Sequence, residues 1–313
     1  CYLDFQKPSL RPLFIAVTPM SSAILKVVSY PIAFLKLALC LFLSSIGGQL
    51  LADSSSALLA MEDPSNPLLQ ISTSRGNLFV ELYPDEAPQN VRRFLSLAAG
   101  DIELVDSNTD TIFKPRYYDG MPFHRVIPGI LIQAGSPAYN PLGAPSDLLE
   151  DEINANILGL DKENVLLPDS TTNPILNITS AEEFSKQLLQ PLYKSMDIET
   201  AEDLIGQEEN IARKLRVMTI KELYQLLGYT YSEANMSRPI QSGVLALANS
   251  GPNSNGPEFF ISMTNSEQLS GRYTAIGSVI EGMDVVGSIG SLAINPLKAT
   301  RASTVIYAIK KIN

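Results

Sequence analysis

The most informative stretches of this chain are YDGMPFHRVIPGILIQAG at 118–135 and GVLALANSGPNSNGPEFFIS at 243–262. Each combines runs of apolar, β-branched or aromatic residues with clusters of Gly, Pro and Asn, the residues that tight turns require. Short β-prone runs that are bounded by turn residues are typical of strands. Both stretches therefore favour a mainly β domain.

The flanking sequence extends the β pattern and adds two helices. Two β-prone runs, 68–73 and 77–82, meet at a Gly-containing turn and predict a hairpin. Apolar residues at helical spacing between 84 and 99 precede Gly100, which predicts a capped amphipathic helix. Further patterns predict strands at 148–153, 244–249, 258–263, 273–280 and 304–312, and a short helix at 283–288. Because the last strand needs a partner, we expect a closed antiparallel barrel.

The stretch 161–240 differs from the rest of the chain. Apolar residues recur at helical spacing in three segments on an acidic background: 180–195, 199–217 and 219–228. We predict a helical insertion at 161–240 that interrupts a β domain spanning 64–313. A packed helical subdomain explains this composition as well as a site for a partner protein does, so both interpretations stay open.

Composition excludes several kinds of chemistry. The chain has 313 residues, a formal net charge of −10, one His and two Cys. A His/Cys zinc site needs several ligands of those types, and a catalytic relay through histidine would have to use His124 alone. An acidic chain is also a poor binder of nucleic acid, because phosphate neutralisation needs clustered Lys and Arg. We therefore expect no metal, no cofactor and no nucleic-acid partner.

The N-terminal segment is typical of a targeting sequence. Met20 opens a stretch whose basic residues lead into the apolar run 37–46 and then into small residues, the order found in secretory signal peptides. We expect 1–52 to comprise a non-native leader and a signal peptide cut after Ala52, followed by a linker at 53–63. An uncleaved N-terminal membrane anchor is the alternative. The expected location is outside the cytoplasm, in a bacterial periplasm.

Together the two informative stretches closely resemble the cyclophilin family of peptidyl-prolyl cis–trans isomerases. The resemblance rests on FHRVIPGILIQ at 123–133 and on ANSGPNSNG at 248–256, which precedes Phe-Phe-Ile. It covers about 64–160 and 241–313, and it leaves the helical stretch as an addition. The resemblance implies a closed eight-stranded antiparallel β-barrel capped by two helices.

The chemistry of this family explains why few ionisable residues suffice. Rotation about an Xaa-Pro bond breaks no covalent bond, but peptide resonance imposes a barrier of about 18–20 kcal/mol. A catalyst needs a hydrogen-bond donor for the prolyl nitrogen, an apolar pocket for the ring and polar groups that hold the flanking peptide. Arginine suits the donor role because it stays charged and projects a rigid fork. By resemblance, Arg125 is that catalytic donor.

The resemblance also implies a set of substrate-binding residues. They are Gln133, Ala248 and Asn249 for the peptide, Leu131, Phe260 and Leu269 for the proline ring, and Ile130, Glu258, Tyr273 and His124 around them. The reaction transfers no proton, so we expect a structural hydrogen-bonding role for His124.

Four positions depart from the family pattern. Ile130 stands where the pocket usually has an aromatic residue, and Glu258 stands where a Gln usually precedes the Phe-Phe pair. Gln268 and Tyr273 replace a Trp and a His of the rim. From these departures we expect weak cyclosporin affinity and reduced or altered isomerase activity.

The resulting hypothesis is a peptidyl-prolyl isomerase that acts on exported proteins and assists their folding. Its partners would be proline-containing unfolded or extended polypeptides, bound by a monomer. The alternative hypothesis is a catalytically weak or inactive peptide-binding scaffold that uses the insertion 161–240 as its partner site.

Overall fold

The computed structural model of this protein describes residues 53–106, 108–233, 236–292 and 303–313. The predicted leader and signal peptide at 1–52 lie outside these residues and stay a prediction. In the described part of the chain, no helix is both long enough and apolar enough to cross a membrane.

Ten strands and eight α-helices make up most of the regular structure in the described residues. The strands are β1 (Leu68–Thr73), β2 (Gly76–Leu82), β3 (Leu104–Asp106), β4 (Thr111–Phe113), β5 (Arg125–Ile127), β6 (Leu131–Ala134), β7 (Val244–Leu247), β8 (Phe259–Ser262), β9 (Ala275–Glu281) and β10 (Ile306–Lys311). The helices are α1 (Ser54–Ala60), α2 (Pro88–Ala99), α3 (Ala181–Phe184), α4 (Gln190–Ser195), α5 (Ala201–Leu204), α6 (Glu208–Val217), α7 (Ile220–Leu226) and α8 (Met283–Gly290).

Eight of the strands form one antiparallel sheet, as predicted, and their order is β10-β1-β2-β9-β7-β8-β6-β5. The sheet is curled, and its two edges meet through the segment before β5. Gly120 N donates to Ile306 O at 2.8 Å, and Phe123 N donates to Thr304 O at 2.8 Å. Among the described residues, β5 and β10 do not themselves pair, so a complete ladder that closes the barrel is not shown.

The inner face of the sheet, which we define as the face toward the largest apolar core, is covered by α2 and α8. α2 ends at Gly100, whose φ of 83° lies in the left-handed region that glycine favours. Its Phe94 contacts Phe259 of β8 at a ring-centroid distance of 5.4 Å. α8 buries Val286 and Ile289 completely in the same core. The prediction of two capping helices is confirmed.

The insertion has an apolar core of its own. Its helices bury residues that recur at helical spacing, among them Leu188, Leu192, Ile211, Leu215 and Leu223. A π segment, Ser185–Leu189, joins α3 to α4. The helical periodicity of this stretch therefore predicted its secondary structure correctly. The sheet and the insertion belong to one compact unit, Leu50–Asn313.

The segment 53–63, for which the composition predicts a linker, contains the helix α1. Asp53 caps this helix, since its carboxylate accepts hydrogen bonds from Ser55 N at 2.7 Å and Ser56 N at 2.9 Å. The helix buries Ala57 against a small cluster on the sheet. Local capping and one apolar contact thus order a stretch that composition alone makes irregular.

The predicted strand at 148–153 is wrong. Within the described residues, its β-type pairing is a single bridge between Leu149 and Asn255. The neighbouring Asp151 uses its side chain to hold a loop instead, as described below. The β3–β4 hairpin, with residue pairs Leu104–Phe113 and Asp106–Thr111, was not predicted from the sequence.

Candidate active site

The register of the sheet places a row of side chains on its outer face, the face opposite the main core. Arg125 of β5 lies opposite Gln133 of β6. Gln133 in turn lies opposite Phe260 of β8, which lies opposite Ala246 of β7. Residues that are paired across strands share a face of the sheet. Their sequence neighbours point to the inner core: Val126, Ile132, Phe259, Ile261, Leu245 and Leu247.

A chain of hydrogen bonds orients the polar side chains of this row. Arg125 Nη1 donates to Gln133 Oε1 at 2.8 Å, and Gln133 Nε2 donates to Glu258 Oε1 at 2.6 Å. His124 Nε2 lies 2.8 Å from the same Glu258 oxygen. Because the carboxylate accepts from the amide nitrogen of Gln133, the amide oxygen faces Arg125. Glu258 therefore fixes the orientation of Gln133, and Gln133 fixes that of Arg125.

The Arg125 guanidinium has further N–H groups with which it can bind a ligand. An arginine carries five N–H donors in a planar fork. The side chain is half-buried, and among the described residues its one protein acceptor is Gln133. Its remaining N–H groups are therefore in a position to donate to a molecule on the outer face.

An apolar cluster, which we call the outer pocket, lies on the same outer face as this cation. Leu131 and Phe260 are 7% and 3% exposed, and Leu269 packs against them. The Tyr273 ring meets Phe260 edge-on at 5.4 Å between centroids. The other residues of the cluster are Ile127, Ile240, Val244, Ala246, Ala248 and Ala275. The three residues that the resemblance assigns to the proline ring, Leu131, Phe260 and Leu269, come together here with Tyr273 and Ala248.

The segment Ala248–Asn249 continues from β7 along the site. Ala248 N donates to Glu258 O at 2.8 Å, and the Asn249 side chain donates to Arg272 O at 2.9 Å. Within the part of the chain that the structure describes, the backbone of Asn249 makes no backbone hydrogen bond. Both residues are half-buried. Their main chain can therefore pair with a peptide, as exposed strand edges do.

Gly135 allows Glu258 to reach this row. Its φ is 85°, and a Cβ at this position would lie 2.6 Å from Pro257 O. A side chain here would push the segment before β8 away from the end of β6. Tyr117 Oη donates to Gly135 O at 3.3 Å. Burial raises the pKa of the Tyr117 phenol, and the Glu258 carboxylate raises it further.

A buried carboxylate anchors the loop that follows Asn249. Asp151 is 6% exposed and accepts hydrogen bonds from Asn253 N at 2.8 Å and Asn255 Nδ2 at 3.0 Å. Burial raises the pKa of Asp151, although these hydrogen bonds oppose the rise. The sequence analysis missed this contact, since Asp151 and Asn253 are 102 residues apart.

Two of the predicted site residues, His124 and Ile130, lie outside the outer pocket. His124 is 6% exposed, and its ring lies 5.4 Å from that of Tyr139, beneath the polar row. Its contact with Glu258 is the hydrogen-bonding position that we expected. Ile130 is 41% exposed in the turn between β5 and β6 and is not part of the apolar cluster.

The site thus combines a cationic donor, an apolar pocket and an accessible stretch of extended backbone. In the described residues, no group of three or more His, Cys, Asp or Glu could hold a metal ion. Such a surface can bind an extended peptide, enclose a small apolar ring and donate hydrogen bonds beside that ring.

Comparison with known proteins identifies the family. Residues 68–311 match the family described as cyclophilin type peptidyl-prolyl cis-trans isomerase/CLD. The chain is 27% identical over 228 residues to peptidyl-prolyl cis-trans isomerase B of Streptomyces anulatus, which covers 72% of this chain and 85% of that protein. It is 25% identical over 245 residues to peptidyl-prolyl cis-trans isomerase-like 1 of Rhizopus delemar, covering 77% and 87% respectively.

Among solved structures, a cyclophilin type peptidyl-prolyl cis-trans isomerase of Cryptosporidium parvum is 19% identical, with a TM-score of 0.42, and it covers 80% of this chain and 99% of that chain. The match over 68–311 takes in both informative stretches of the sequence and all ten strands. This chain belongs to the family of cyclophilin type peptidyl-prolyl cis-trans isomerases.

Proposed function

We propose that this protein catalyses cis–trans isomerisation of Xaa-Pro bonds in extended polypeptides, on the outer face of its sheet. The observation that carries this proposal is the position of Arg125 beside the outer pocket. Family membership supports it, as do the named activities of the relatives.

The geometry suggests how the residues would act. In the planar ground state the lone pair of the prolyl nitrogen is delocalised, and rotation localises it on the nitrogen. A donor that bonds to nitrogen only in the rotated state lowers the barrier, and each 1.4 kcal/mol is worth about tenfold in rate. Arg125 would supply this bond while Leu131 and Phe260 enclose the ring. Gln133 and the backbone of Asn249 would hold the flanking peptide.

Glu258 supports catalysis in this arrangement. From the sequence alone we expected its negative charge to reduce or alter activity. Its Oε1 instead accepts from Gln133 at 2.6 Å and lies 2.8 Å from His124 Nε2. The charge is therefore engaged by two donors, and it holds Gln133 in the orientation that Arg125 needs. We propose that Glu258 takes over the orienting role of the usual Gln at this position.

We also propose that the substrates are exported proteins whose folding this enzyme assists. The support is the order of basic, apolar and small residues at 20–52. Mass spectrometry of the protein recovered from its native cells tests this proposal, with Asp53 as the expected first residue. An intact N-terminus that still includes 20–52 would favour a membrane anchor instead.

One observation favours a second candidate, a non-catalytic peptide-binding scaffold. The insertion carries a pocket of about 370 Å³ between α4, α6 and α7, lined half by the apolar residues Leu192, Val217, Met218 and Leu226 and half by Ser195, Lys214, Glu222 and Gln225. Binding of unfolded polypeptides by a protein without isomerase activity, lost when Leu226 is changed to Asp, would support this candidate.

A protease-coupled assay on a four-residue peptide with one Xaa-Pro bond tests the main proposal. We expect catalysis by the wild type and a loss of about 10²-fold in kcat/KM for Arg125→Ala, the scale of effect seen when a transition-state donor is removed. Arg92→Ala is the matched control, because Arg92 is exposed on α2. A wild-type rate equal to the uncatalysed rate, or equal rates for the two variants, would overturn the proposal.

A further inference from the structure

The helical insertion packs against the candidate active site. Residues 224–231, at the end of α7 and just after it, lie against two loops. The first, which we call the rim loop, is 266–273 and carries Leu269 and Tyr273 of the outer pocket. The second, which we call the Asn loop, is 249–256 and begins with Asn249. The contacts of these loops with the insertion extend the site beyond the β domain.

The rim loop is held at Gly271. Tyr231 Oη donates to Gly271 O at 3.0 Å. Gly271 has a φ of +81°, in the left-handed region, and a Cβ there would collide with Leu160, which belongs to the core of the insertion. The backbone of the rim loop therefore lies directly against a side chain of that core.

Arg272 connects the insertion to both loops. Its guanidinium lies 5.8 Å from the centroid of the Tyr224 ring. Its carbonyl accepts the hydrogen bond from Asn249 Nδ2 at 2.9 Å. One residue of the rim loop thus has its side chain on the insertion and its backbone on the Asn loop.

The Asn loop also touches the insertion directly. Thr230 Oγ1 lies 3.3 Å from the side-chain amide of Asn253. A Cβ at Gly228 would lie 3.4 Å from Pro252, which is ordinary van der Waals contact. Both loops beside the outer pocket are therefore braced by the same short segment, 228–231.

We propose that the insertion positions the two loops for substrate binding, with Tyr231 and Arg272 as positioning residues. This inference rests on the proposed function and assigns the insertion a part in it. Loops that become ordered only on binding weaken affinity, because their ordering opposes association. Contacts that order the rim loop and the Asn loop in the free protein remove that penalty. The insertion therefore acts mainly on KM, and Arg125 acts mainly on kcat.

Kinetics of Tyr231→Phe and Arg272→Met on a proline tetrapeptide test this division. We expect KM to rise about three- to tenfold for each variant, while kcat stays within about twofold. Arg272→Lys keeps the charge near Tyr224 and is expected to recover part of the lost affinity. Tyr193→Phe is the control, because it removes a hydroxyl from the insertion outside the segment 224–231. A kcat that falls with KM unchanged would overturn the inference.

Hydrogen exchange of the peptide-free protein separates this inference from the proposed function. We expect amides of 249–256 and 266–273 to exchange at least about tenfold faster in Arg272→Met than in Tyr193→Phe. Unchanged exchange in both loops overturns the inference whether or not the protein is an isomerase. Faster exchange together with an inactive wild type leaves the bracing intact and overturns the proposed function alone.

Discussion

Phe259 and Phe260 are neighbours in β8 but belong to different apolar clusters. Phe259 is completely buried on the inner face, where its ring meets those of Phe94 and Tyr118 at 5.4 and 5.6 Å. Phe260 lies on the outer face, 3% exposed, against Tyr273. Because side chains alternate along a strand, one dipeptide supplies both the core and the pocket. The residues that stabilise the fold and the residues of the candidate site therefore lie on opposite faces of the same strands.

Alanine substitution of these two neighbours is the strongest test of that difference. Phe259→Ala should destabilise the protein by about 3–5 kcal/mol, because it leaves a cavity in the main core. Its kcat/KM, corrected for the folded fraction, should stay within about twofold. Phe260→Ala should lower the corrected kcat/KM at least about tenfold, because the proline ring loses its pocket wall. Urea unfolding and isomerase kinetics on both variants measure the two effects. Unchanged kinetics in Phe260→Ala would contradict the assignment of the outer pocket.

Two substitutions of Glu258 test how the side chains of the outer face are oriented. Glu258→Ala leaves the His124 and Gln133 donors without their acceptor, which should reduce stability by about 1–3 kcal/mol. Activity should also fall, because Gln133 loses the contact that aims its oxygen at Arg125. Glu258→Gln keeps an acceptor oxygen at the same place and should stay within about twofold of the wild type. Equal activity losses in the two variants would mean that the charge matters and not the hydrogen bonds.

The buried carboxylate of Asp151 gives the Asn loop a pH dependence. Burial raises the pKa of Asp151 above its ordinary value of 3.8, so the folded state binds the proton more readily than the unfolded state. The stability of the wild type relative to Asp151→Asn should therefore rise as the pH falls from 7 through the raised pKa, and level off below 3.8.

Asp169 is the control, because its pKa is shifted in the opposite direction to that of Asp151. Hydrogen bonds from Thr171 lower the pKa of Asp169, so its contribution to stability should be lost as the pH falls. Urea unfolding of the wild type and both Asn variants at several pH values from 7 to below 3.8 measures the two slopes, since the Asp169 contribution is lost only below 3.8. The same slope for both would contradict the assigned role of burial at Asp151.

Ile130 is expected to give the smallest effect. It is 41% exposed and lies outside the outer cluster, so Ile130→Ala should change stability by no more than about 0.5 kcal/mol. KM for a proline peptide should stay within about twofold. A large rise in KM would place Ile130 in the bound pocket, as the family pattern implies, and would extend the outer face to this turn.

Local patterns in the sequence predicted the sheet well. The strands β1, β2, β9 and β10 and the helices α2 and α8 lie where periodicity and turn residues indicated them. The helices of the insertion were predicted in the same way, from the spacing of their apolar residues. These elements are predictable because each is determined by residues close together in the chain.

The features of the fold and the site that the sequence did not predict depend on contacts between residues that are far apart in the chain. The segment 148–153 was predicted to be a strand, but it pairs through a single bridge and its Asp151 accepts a hydrogen bond from the Asn loop. The motif placed Arg125 and Gln133 in one site, yet the hydrogen bond that orients Gln133 is donated to Glu258, which is 125 residues away. The contact between Tyr231 and Gly271 has no local sequence signal, because it joins residues that are 40 positions apart in the chain.

The central claim is that the outer face accelerates prolyl isomerisation through Arg125. Two-dimensional exchange NMR tests it most directly, with a small molar fraction of protein added to a peptide that has one Xaa-Pro bond. The wild type should produce cis–trans exchange cross-peaks, and Arg125→Ala should lose them while both proteins shift the same outer-face amides on peptide binding. Cross-peaks of equal intensity from the two proteins, or none from the wild type, would contradict the claim.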